Sequence, residues 1–181
     1  MIEIARTYTF EAPQERVWRL LMDTRALALC IPGCRSLDPD PQVEHQYRLS
    51  LAVKLAAVVG TYDGTVQLVD ITPMQSYGLV VEGRGRPGFV KGKAAIALAA
   101  AEAATTTLTV SGDVHAGGAI ARVGQRIITS AARLMMDRFF KRLKAIAEAR
   151  NAAGVSLELA EIDAAQLDVA EEFLDTPADD A

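Results

Sequence analysis

The sequence predicts an α+β domain in which a curved antiparallel sheet of about seven strands wraps around a long C-terminal helix. Two short helices are predicted after the first strand. Strand-like segments with alternating apolar and polar residues follow one another without crossover helices, which is typical of an antiparallel meander. Residues 119–150 then have helical periodicity and contain no proline, so they predict one helix of 32 residues and about 48 Å.

The N-terminal part of the chain contains the first strand and both short helices. Ile2–Phe10 alternates apolar and polar side chains and predicts a strand. Pro13 suits the first turn of the helix that follows. A second helix, about Thr24–Cys30, is predicted to stop at Pro32 and Gly33. The buried side of the first helix is predicted to be formed by Val17, Leu20 and Leu21.

The middle of the chain predicts the remaining strands. A short strand contains Leu37, and longer ones are predicted at about 45–54, 58–71, 77–81, 93–101 and 105–115. Gly60 and Gly64 lie in register in the strand at 58–71 and would let a long strand bend. Residues 83–92 contain four glycines and a proline around Phe89. They are interpreted either as a flexible strand connection or as a lid over a cavity.

The predicted long helix has a broad apolar surface. In its first half the apolar stripe is formed by Ile120, Val123, Ile127, Ala131 and Leu134. In its second half the stripe moves to Met135, Phe139, Leu143 and Ile146, and it is widened by Met136 and Phe140. A helix with so wide an apolar surface needs a concave partner, and the predicted sheet is the available one.

The charge is unevenly distributed along the chain. Residues 155–181 carry nine acidic and no basic side chains, which leaves 14 acidic and 19 basic side chains, a net charge of +5, in residues 1–154. Eight of the basic residues lie in 119–150. We therefore divide the chain into a folded domain, 1–150, and an acidic tail, 151–181. The tail is predicted to be largely disordered, with a short acidic helix at about 160–174 as the alternative.

Several classes of function have no support in the sequence. No segment is long and apolar enough to predict a transmembrane helix, and aromatic residues make up only 6% of a chain with a net charge of −4, which disfavours nucleic-acid binding. Cys30 and Cys34 have only His45 and His115 to complete a metal site, so we expect no bound metal. No catalytic constellation is visible, and residues 83–92 lack the ending of a phosphate-binding loop.

Five sequence blocks occur in an order and spacing typical of one protein family. They are VWRLLMD (Val17–Asp23), CIPGC (Cys30–Cys34), GTYDG (Gly60–Gly64), GRPGFVKGKA (Gly85–Ala94) and GGAIARVGQRIITSAARLMMDRFFKRL (Gly117–Leu143). On these blocks the chain resembles the family of the carbon monoxide dehydrogenase G subunit over about residues 1–145. That family belongs to the START-like (SRPBCC) helix-grip superfamily of hydrophobic-ligand binders.

The resemblance implies a START-like domain at 1–150 with an apolar cavity between the sheet and the long helix. It also implies an accessory protein that brings a molybdenum hydroxylase, such as aerobic carbon monoxide dehydrogenase, to the membrane and its quinone pool. The expected location is cytoplasmic, peripheral on the inner face of the cell membrane. No covalently bound cofactor is expected, and the expected ligand is a quinone or another isoprenoid lipid. An acidic tail departs from the family's membrane-holding extensions, so we expect the folded domain to contact lipid.

The resemblance and the strand alternation together predict the residues that line the cavity. On the sheet they are Leu51, Val53, Tyr62, Val66, Tyr77 and Leu79, with Phe89 at the lid. On the helix they are Val123, Ile127, Leu134, Met135 and Phe139. Tyr62, Tyr77 and Arg86 are the predicted contacts with a polar head group. No catalytic residue is predicted.

Three hypotheses on function remain open. The first is a non-catalytic carrier of a quinone or similar lipid. The second is an assembly or recruitment factor whose core is filled by its own side chains. The third is an enzyme, a cyclase or a hydrolase, which would require a titratable group inside the cavity. A cavity of several hundred Å³ would distinguish the first hypothesis from the second.

Overall fold

The computed structural model describes residues 1–55, 58–102 and 104–149. Within these ranges, seven strands and three α-helices follow one another. They are β1 (Ile2–Phe10), α1 (Gln14–Leu21), α2 (Thr24–Cys30), β2 (Cys34–Pro39), β3 (Gln46–Leu55), β4 (Val58–Thr72), β5 (Ser76–Gly85), β6 (Gly88–Glu102), β7 (Thr105–Gly117), a 3₁₀ segment (Ala119–Val123) and α3 (Gln125–Glu148). The predicted α+β fold, with two short helices after the first strand and a long C-terminal helix, is confirmed.

The strands form one antiparallel sheet in the order β1-β7-β6-β5-β4-β3-β2. Consecutive strands from β2 to β7 pair as neighbours, which is the predicted meander. The exception is β1, which joins the far end of the sheet beside β7, so that Ile2 pairs with Val114 and Phe10 with Thr106. The curved sheet therefore presents one face to all three helices.

Local interactions fix the two short helices. Pro13 precedes α1, and its carbonyl accepts hydrogen bonds from the backbone N–H groups of Arg16 and Val17. Asp23 caps α2 by accepting hydrogen bonds from two backbone N–H groups in the first turn. After α2 the chain turns at Gly33, where φ is +70° and a Cβ would overlap the carbonyl of Ala52. Only glycine fits this position without strain.

The main hydrophobic core lies between the helices and the concave face of the sheet. Its largest fully buried apolar side chains come from β1, α1, β7 and the C-terminal half of α3: Phe10, Leu21, Leu108, Leu143 and Ile146. The aromatic ring of Tyr8 stacks on that of Phe140, with 4.2 Å between the ring centroids. The C-terminal half of α3 is therefore the part of the helix that closes the core.

Polar contacts to α3 include one at its end and one near its middle. Arg16 is only 6% exposed, and its guanidinium donates hydrogen bonds to the carbonyls of Ala147 (2.7 Å) and Ile146 (3.0 Å) at the end of α3. These carbonyls belong to the last turn, where the helix itself has no further N–H groups to donate to them. Nearer the middle of the helix, Asp137 accepts a 2.7 Å hydrogen bond from the Tyr8 hydroxyl.

The prediction of one continuous helix over 119–150 is wrong in its first turns. Gly124 has φ +96° and ψ 147°, which ends the 3₁₀ segment and starts α3 in a new direction. The α-helix therefore has 24 residues and a length of about 36 Å. An apolar stripe cannot continue in phase across such a break, and Ile127 is 39% exposed. The inner position is taken by Ile128, which is 8% exposed.

The glycine-rich stretch 83–92 is a tight hairpin, so its interpretation as a loop or lid is wrong. β5 and β6 pair up to Gly85 and Gly88, and only Arg86 and Pro87 form the turn. The glycines permit this pairing because the backbones approach closely: a Cβ at Gly88 would overlap the carbonyl of Gly117. Both strands are consequently longer at this end than the sequence predicts.

The predicted tail, 151–181, with its alternative acidic helix, lies outside the described residues, and the domain boundary at 150 stays a prediction. Within the described ranges, no helix combines the length and apolar character needed to span a membrane. The same ranges contain no group of three or more His, Cys, Asp or Glu residues that could hold a metal ion. Cys30 and Cys34 are free thiols, and burial raises the pKa of Cys30 to about 12.

Candidate functional site

The space between α3 and the sheet is the candidate functional site. α3 packs against β1, α1 and α2, and between the helix and the inner face of the sheet lies a cavity with three adjoining compartments. We call these the first, second and third compartments. The inner positions of each strand supply the walls, because every second side chain of a strand points to the same face.

The first compartment has a volume of about 180 Å³. It lies between β3, β4 and the N-terminal half of α3. Side chains from all of these elements form its walls, among them Leu51, Val53, Tyr62, Ile128, Ala131 and Met135. Ala131 and Ala132 are small, and this helps to leave the space open where a larger side chain would fill it.

The second compartment is the largest, with a volume of about 270 Å³. It lies under α2 and the C-terminal half of α3, over the central strands. Its walls include Leu27, Ile31, Val66, Tyr77, Leu79 and Phe139. Tyr77 is 4% exposed, and its ring meets that of Trp18 edge to face with 5.8 Å between the centroids. The only tryptophan of the chain therefore lies directly behind the wall of this compartment.

The third compartment, of about 200 Å³, lies over β5, β6 and β7 between the other two. It shares Leu79, Ala94 and Met136 with the second compartment, and Val90 and Val114 with the first. Val81 lines all three compartments. Its side chain therefore stands where the three spaces meet.

The walls carry almost no polar side chains. Asp63 and Glu82 border the first compartment, and Lys93 and Asp113 border the third. Asp113 is half-buried and the other three are exposed, and each alternates along its strand with inward-facing neighbours. The inward polar groups are the hydroxyls of Tyr47, Tyr62 and Tyr77. Burial raises the pKa of Tyr62 and of Tyr77 above the ordinary value of a phenol. In the described part of the cavity, no inward side chain is an ordinary acid or base titrating near neutral pH.

Eight of the predicted lining residues lie on the cavity walls. Those on the first compartment are Leu51, Val53, Tyr62 and Met135, and those on the second are Val66, Tyr77, Leu79 and Phe139. Their position follows from strand alternation in β3, β4 and β5 and from the helical phase after Met135. That these residues bind a ligand remains a prediction.

The other predicted lining residues lie elsewhere. Val123 packs with Ile128 and the start of β1, because the break at Gly124 turns the 3₁₀ segment away from the helix axis. Ile127 is exposed, and Leu134 is half-buried but lies on none of the three compartments. The prediction places both residues on the cavity wall because it continues the apolar stripe of 119–123 into α3. The break at Gly124 changes the helical phase, so the stripe does not continue.

Phe89 and Arg86 are also outside the cavity. Phe89 lies on the outer face of the sheet. Its ring covers Gly117 so closely that a Cβ on Gly117 would overlap the ring. The centroids of the Phe89 and His115 rings are 6.0 Å apart. Its neighbour Val90 takes the inner position. Arg86 is exposed in the β5–β6 turn. Phe89 is therefore not a lid residue, and Arg86 is not placed to contact a group inside the cavity.

Several lining residues were missed by sequence reasoning. Val81 could have been found, since it continues the inward alternation of Tyr77 and Leu79 in the predicted strand 77–81. Val90 lies within the stretch interpreted as a loop, so its inner position in β6 was not predicted. Ala132 and Met136 could have been found from the helical phase of Phe139 and Phe140. Leu27 and Ile31 carry no such signal, because only the packing of α2 over the sheet brings them to the second compartment.

Comparison with known proteins gives the same fold. The chain is similar to a conserved protein from Geobacillus kaustophilus, with 35% identity and a TM-score of 0.75, covering 79% of this chain and 93% of that one. It shares only the fold with the ZhuI aromatase/cyclase from Streptomyces sp. R1128, at 16% identity and a TM-score of 0.66, covering 85% and 98% of the two chains.

A START superfamily protein from Mycobacterium smegmatis also has this fold, at 16% identity and a TM-score of 0.60, covering 81% of this chain and 97% of that one. No curated protein matches the chain by sequence. The model of the family described as the carbon monoxide dehydrogenase G subunit (CoxG) matches residues 7–148. That match spans most of the chain, from within β1 to the last residue of α3. The chain therefore belongs to the CoxG family.

Proposed function

We propose that this protein is a non-catalytic carrier that holds a quinone or another isoprenoid lipid between α3 and the sheet. The observation that carries the proposal is the cavity of three joined compartments with apolar walls. Each compartment alone is smaller than the ~300–1,000 Å³ of common ligand pockets, whereas the three together fall within that range. An elongated ligand that passes Val81 would use the whole space.

The energetics of such a ligand suit these walls. Transfer of a hydrocarbon chain out of water contributes about 0.8 kcal/mol per CH₂ group. A few isoprene units can therefore be held by apolar contact alone, and the walls supply mainly aliphatic side chains for it. The same composition supports binding over catalysis, since general acid–base chemistry needs a group that titrates near the working pH.

The alternative of an assembly factor with a filled core is less well supported, because native cores contain few voids larger than a water molecule. The alternative of an enzyme is suggested by the fold that the chain shares with an aromatase/cyclase. Proteins with the same fold often have different functions, so the shared fold alone is not evidence of catalytic activity. We therefore propose the carrier as the function and leave the other two as outcomes of the test below.

Substitution of Ala131 by phenylalanine tests the carrier. The ring should fill part of the first compartment, so we expect the free energy of unfolding to change by less than about 1 kcal/mol, against a cost of about 1–3 kcal/mol in a filled core. Binding of decylubiquinone should be lost. Quinones quench indole fluorescence, and Trp18 behind the second compartment reports occupancy.

Ala145→Phe is the matched control, because Ala145 lies on the same helix but is exposed. It should leave both stability and binding unchanged. If Ala131→Phe destabilises the protein strongly and the wild-type chain binds no quinone, the core is filled and the assembly factor is the better hypothesis.

We also propose that the folded domain docks on an anionic membrane surface and presents a molybdenum hydroxylase, such as carbon monoxide dehydrogenase, to the quinone pool. The family to which the chain belongs supports this partner. The surface of α3 supports the docking, since Arg126, Arg133 and Lys141 are exposed and the exposed Ile127 lies beside Arg126. Basic residues with an adjacent apolar side chain suit a lipid headgroup region.

Binding to vesicles of phosphatidylglycerol and phosphatidylcholine should therefore fall with salt, because the Debye length shrinks from about 10 Å at 0.1 M to about 3 Å at 1 M. It should rise when the acidic residues 155–181 are removed. Arg126→Glu combined with Arg133→Glu should weaken binding, whereas Arg84→Glu on the outer face of the sheet should not. Equal binding to pure phosphatidylcholine vesicles would contradict electrostatic docking.

A further inference from the structure

Among the described residues, the hydroxyl of Tyr62 is a buried polar group without a hydrogen-bond partner. Tyr62 is 6% exposed, its hydroxyl oxygen is closed off from solvent, and no hydrogen-bond partner for it occurs among residues 1–55, 58–102 and 104–149. Buried hydroxyls in folded proteins almost always have a partner, because an unpaired one has lost its hydrogen bonds to water and gained none. An exception in the wall of a cavity needs an explanation.

The ring of Tyr62 has apolar surroundings. It packs with Val58 and Ile120, and the partly buried side chains against this cluster are Val53, Val90, Ala116 and Ala131. The ring lies over the backbone of its cross-strand partner Gly85, where a Cβ would come within 3.2 Å of Cδ1. The glycine thus leaves room for the ring at the edge of the first compartment. Among the described residues, Tyr62 is the only inward residue of that compartment with a hydrogen-bonding side chain.

We propose that the Tyr62 hydroxyl donates a hydrogen bond to a carbonyl oxygen of the bound ligand. This inference rests on the carrier function proposed above and adds the ligand's polarity and orientation. The carbonyl-bearing end lies in the first compartment, and the hydrocarbon part passes Val81 into the second. A tyrosine hydroxyl can both donate and accept, and a carbonyl oxygen is the acceptor that a neutral lipid of this kind provides.

The same geometry disfavours charged lipids. A carboxylate or phosphate inside the cavity would need a counter-ion, since burial of an unpaired charge is far more costly than burial of a neutral carbonyl. No lysine or arginine side chain faces inward in the described part of the first compartment. The first compartment therefore suits a neutral carbonyl compound with a long apolar part better than the charged head of a fatty acid or phospholipid.

A matched pair of probes tests the assignment: 2-methyl-1,4-naphthoquinone and 2-methylnaphthalene, which share a fused ring system and differ in the two carbonyl groups. Each is titrated against the full chain as a competitor of decylubiquinone, with Trp18 fluorescence as the readout. Tyr62→Phe removes the hydroxyl and keeps the ring. We expect it to weaken naphthoquinone binding about tenfold, equivalent to ~1.4 kcal/mol, and to leave methylnaphthalene binding unchanged.

Tyr8→Phe is the control, because the Tyr8 hydroxyl bonds Asp137 and Tyr8 lines none of the three compartments; it should not alter the ratio of the two affinities. Tyr62→Phe should also leave the unfolding midpoint of the ligand-free protein equal or higher, because the hydroxyl has no hydrogen-bond partner in the described part of the chain. An equal loss for both probes would mean that Tyr62 acts by packing, and a lower midpoint would mean that a water molecule or backbone group already pairs with it; either result overturns the assignment. Failure of the wild-type chain to bind any of the three compounds would instead overturn the carrier function, and the assignment with it.

Discussion

Replacement of Arg16 by leucine is expected to lower the free energy of unfolding by about 3 kcal/mol, since hydrogen bonds from a charged donor contribute about 1.5–3 kcal/mol each. The Arg16 guanidinium is buried and donates to the carbonyls of Ile146 and Ala147 in the last turn of α3. Leucine leaves these carbonyls without that donor, and the positive charge at the negative end of the helix dipole is lost as well. Chemical denaturation followed by circular dichroism measures the change.

Two further variants make this result specific. Arg19→Leu removes the same charge from an exposed position on the same helix, and it should change stability by less than about 0.5 kcal/mol. Arg16→Lys keeps the charge but replaces the planar fork of donors with a single ammonium group, so an intermediate loss is expected. Equal stabilities of Arg16→Leu and Arg19→Leu would show that the contacts with α3 contribute nothing.

Truncation of Leu143 to alanine is expected to cost about 4 kcal/mol of unfolding free energy, because Leu143 is fully buried where α3 closes the core and a cavity would remain. Leu134→Ala is the matched control: the same substitution on the same helix, at a half-buried position outside the core clusters. It should cost less than about 1.5 kcal/mol.

The comparison of these two leucines also tests the orientation of α3. The stripe extended from the 3₁₀ segment makes Leu134 an inner residue, whereas the structure leaves it half-buried. Similar losses of unfolding free energy for Leu143→Ala and Leu134→Ala would contradict the helical phase in which Leu143 faces the core and Leu134 does not. Thermal and urea unfolding of the two variants, measured side by side, decides between the orientations.

Local patterns predict most of this fold. Alternation in β1 and β3–β7 is readable because one face of each strand is buried, and the proline and glycine after α2 mark its end. The second half of the helical stripe, around Phe140 and Leu143, is correctly predicted for the same reason. That the sheet curves around the helix follows from the wide apolar surface of the helix, which needs a concave partner, and the family resemblance implies the same arrangement.

The errors arise where tertiary geometry overrides a local pattern. Gly124 is a single glycine in a periodic segment, and sequence alone does not distinguish a tolerated glycine from a break. The glycines at 83–92 are typical of a loop, yet here they permit two backbones to pair closely. The hydrogen bonds of Arg16 with the end of α3 join residues 130 and 131 positions apart in the sequence. No local sequence pattern predicts them.

The pairing of β1 with β7 has a consequence for biosynthesis. The paired residues lie 96 to 112 positions apart along the chain, so at about 5–20 residues per second the first strand waits roughly 5 to 20 seconds on the ribosome for its partner. During that time its alternating apolar face and its backbone N–H and C=O groups are available to other nascent chains. Slower translation between β2 and β7 therefore prolongs the interval in which β1 has no partner strand.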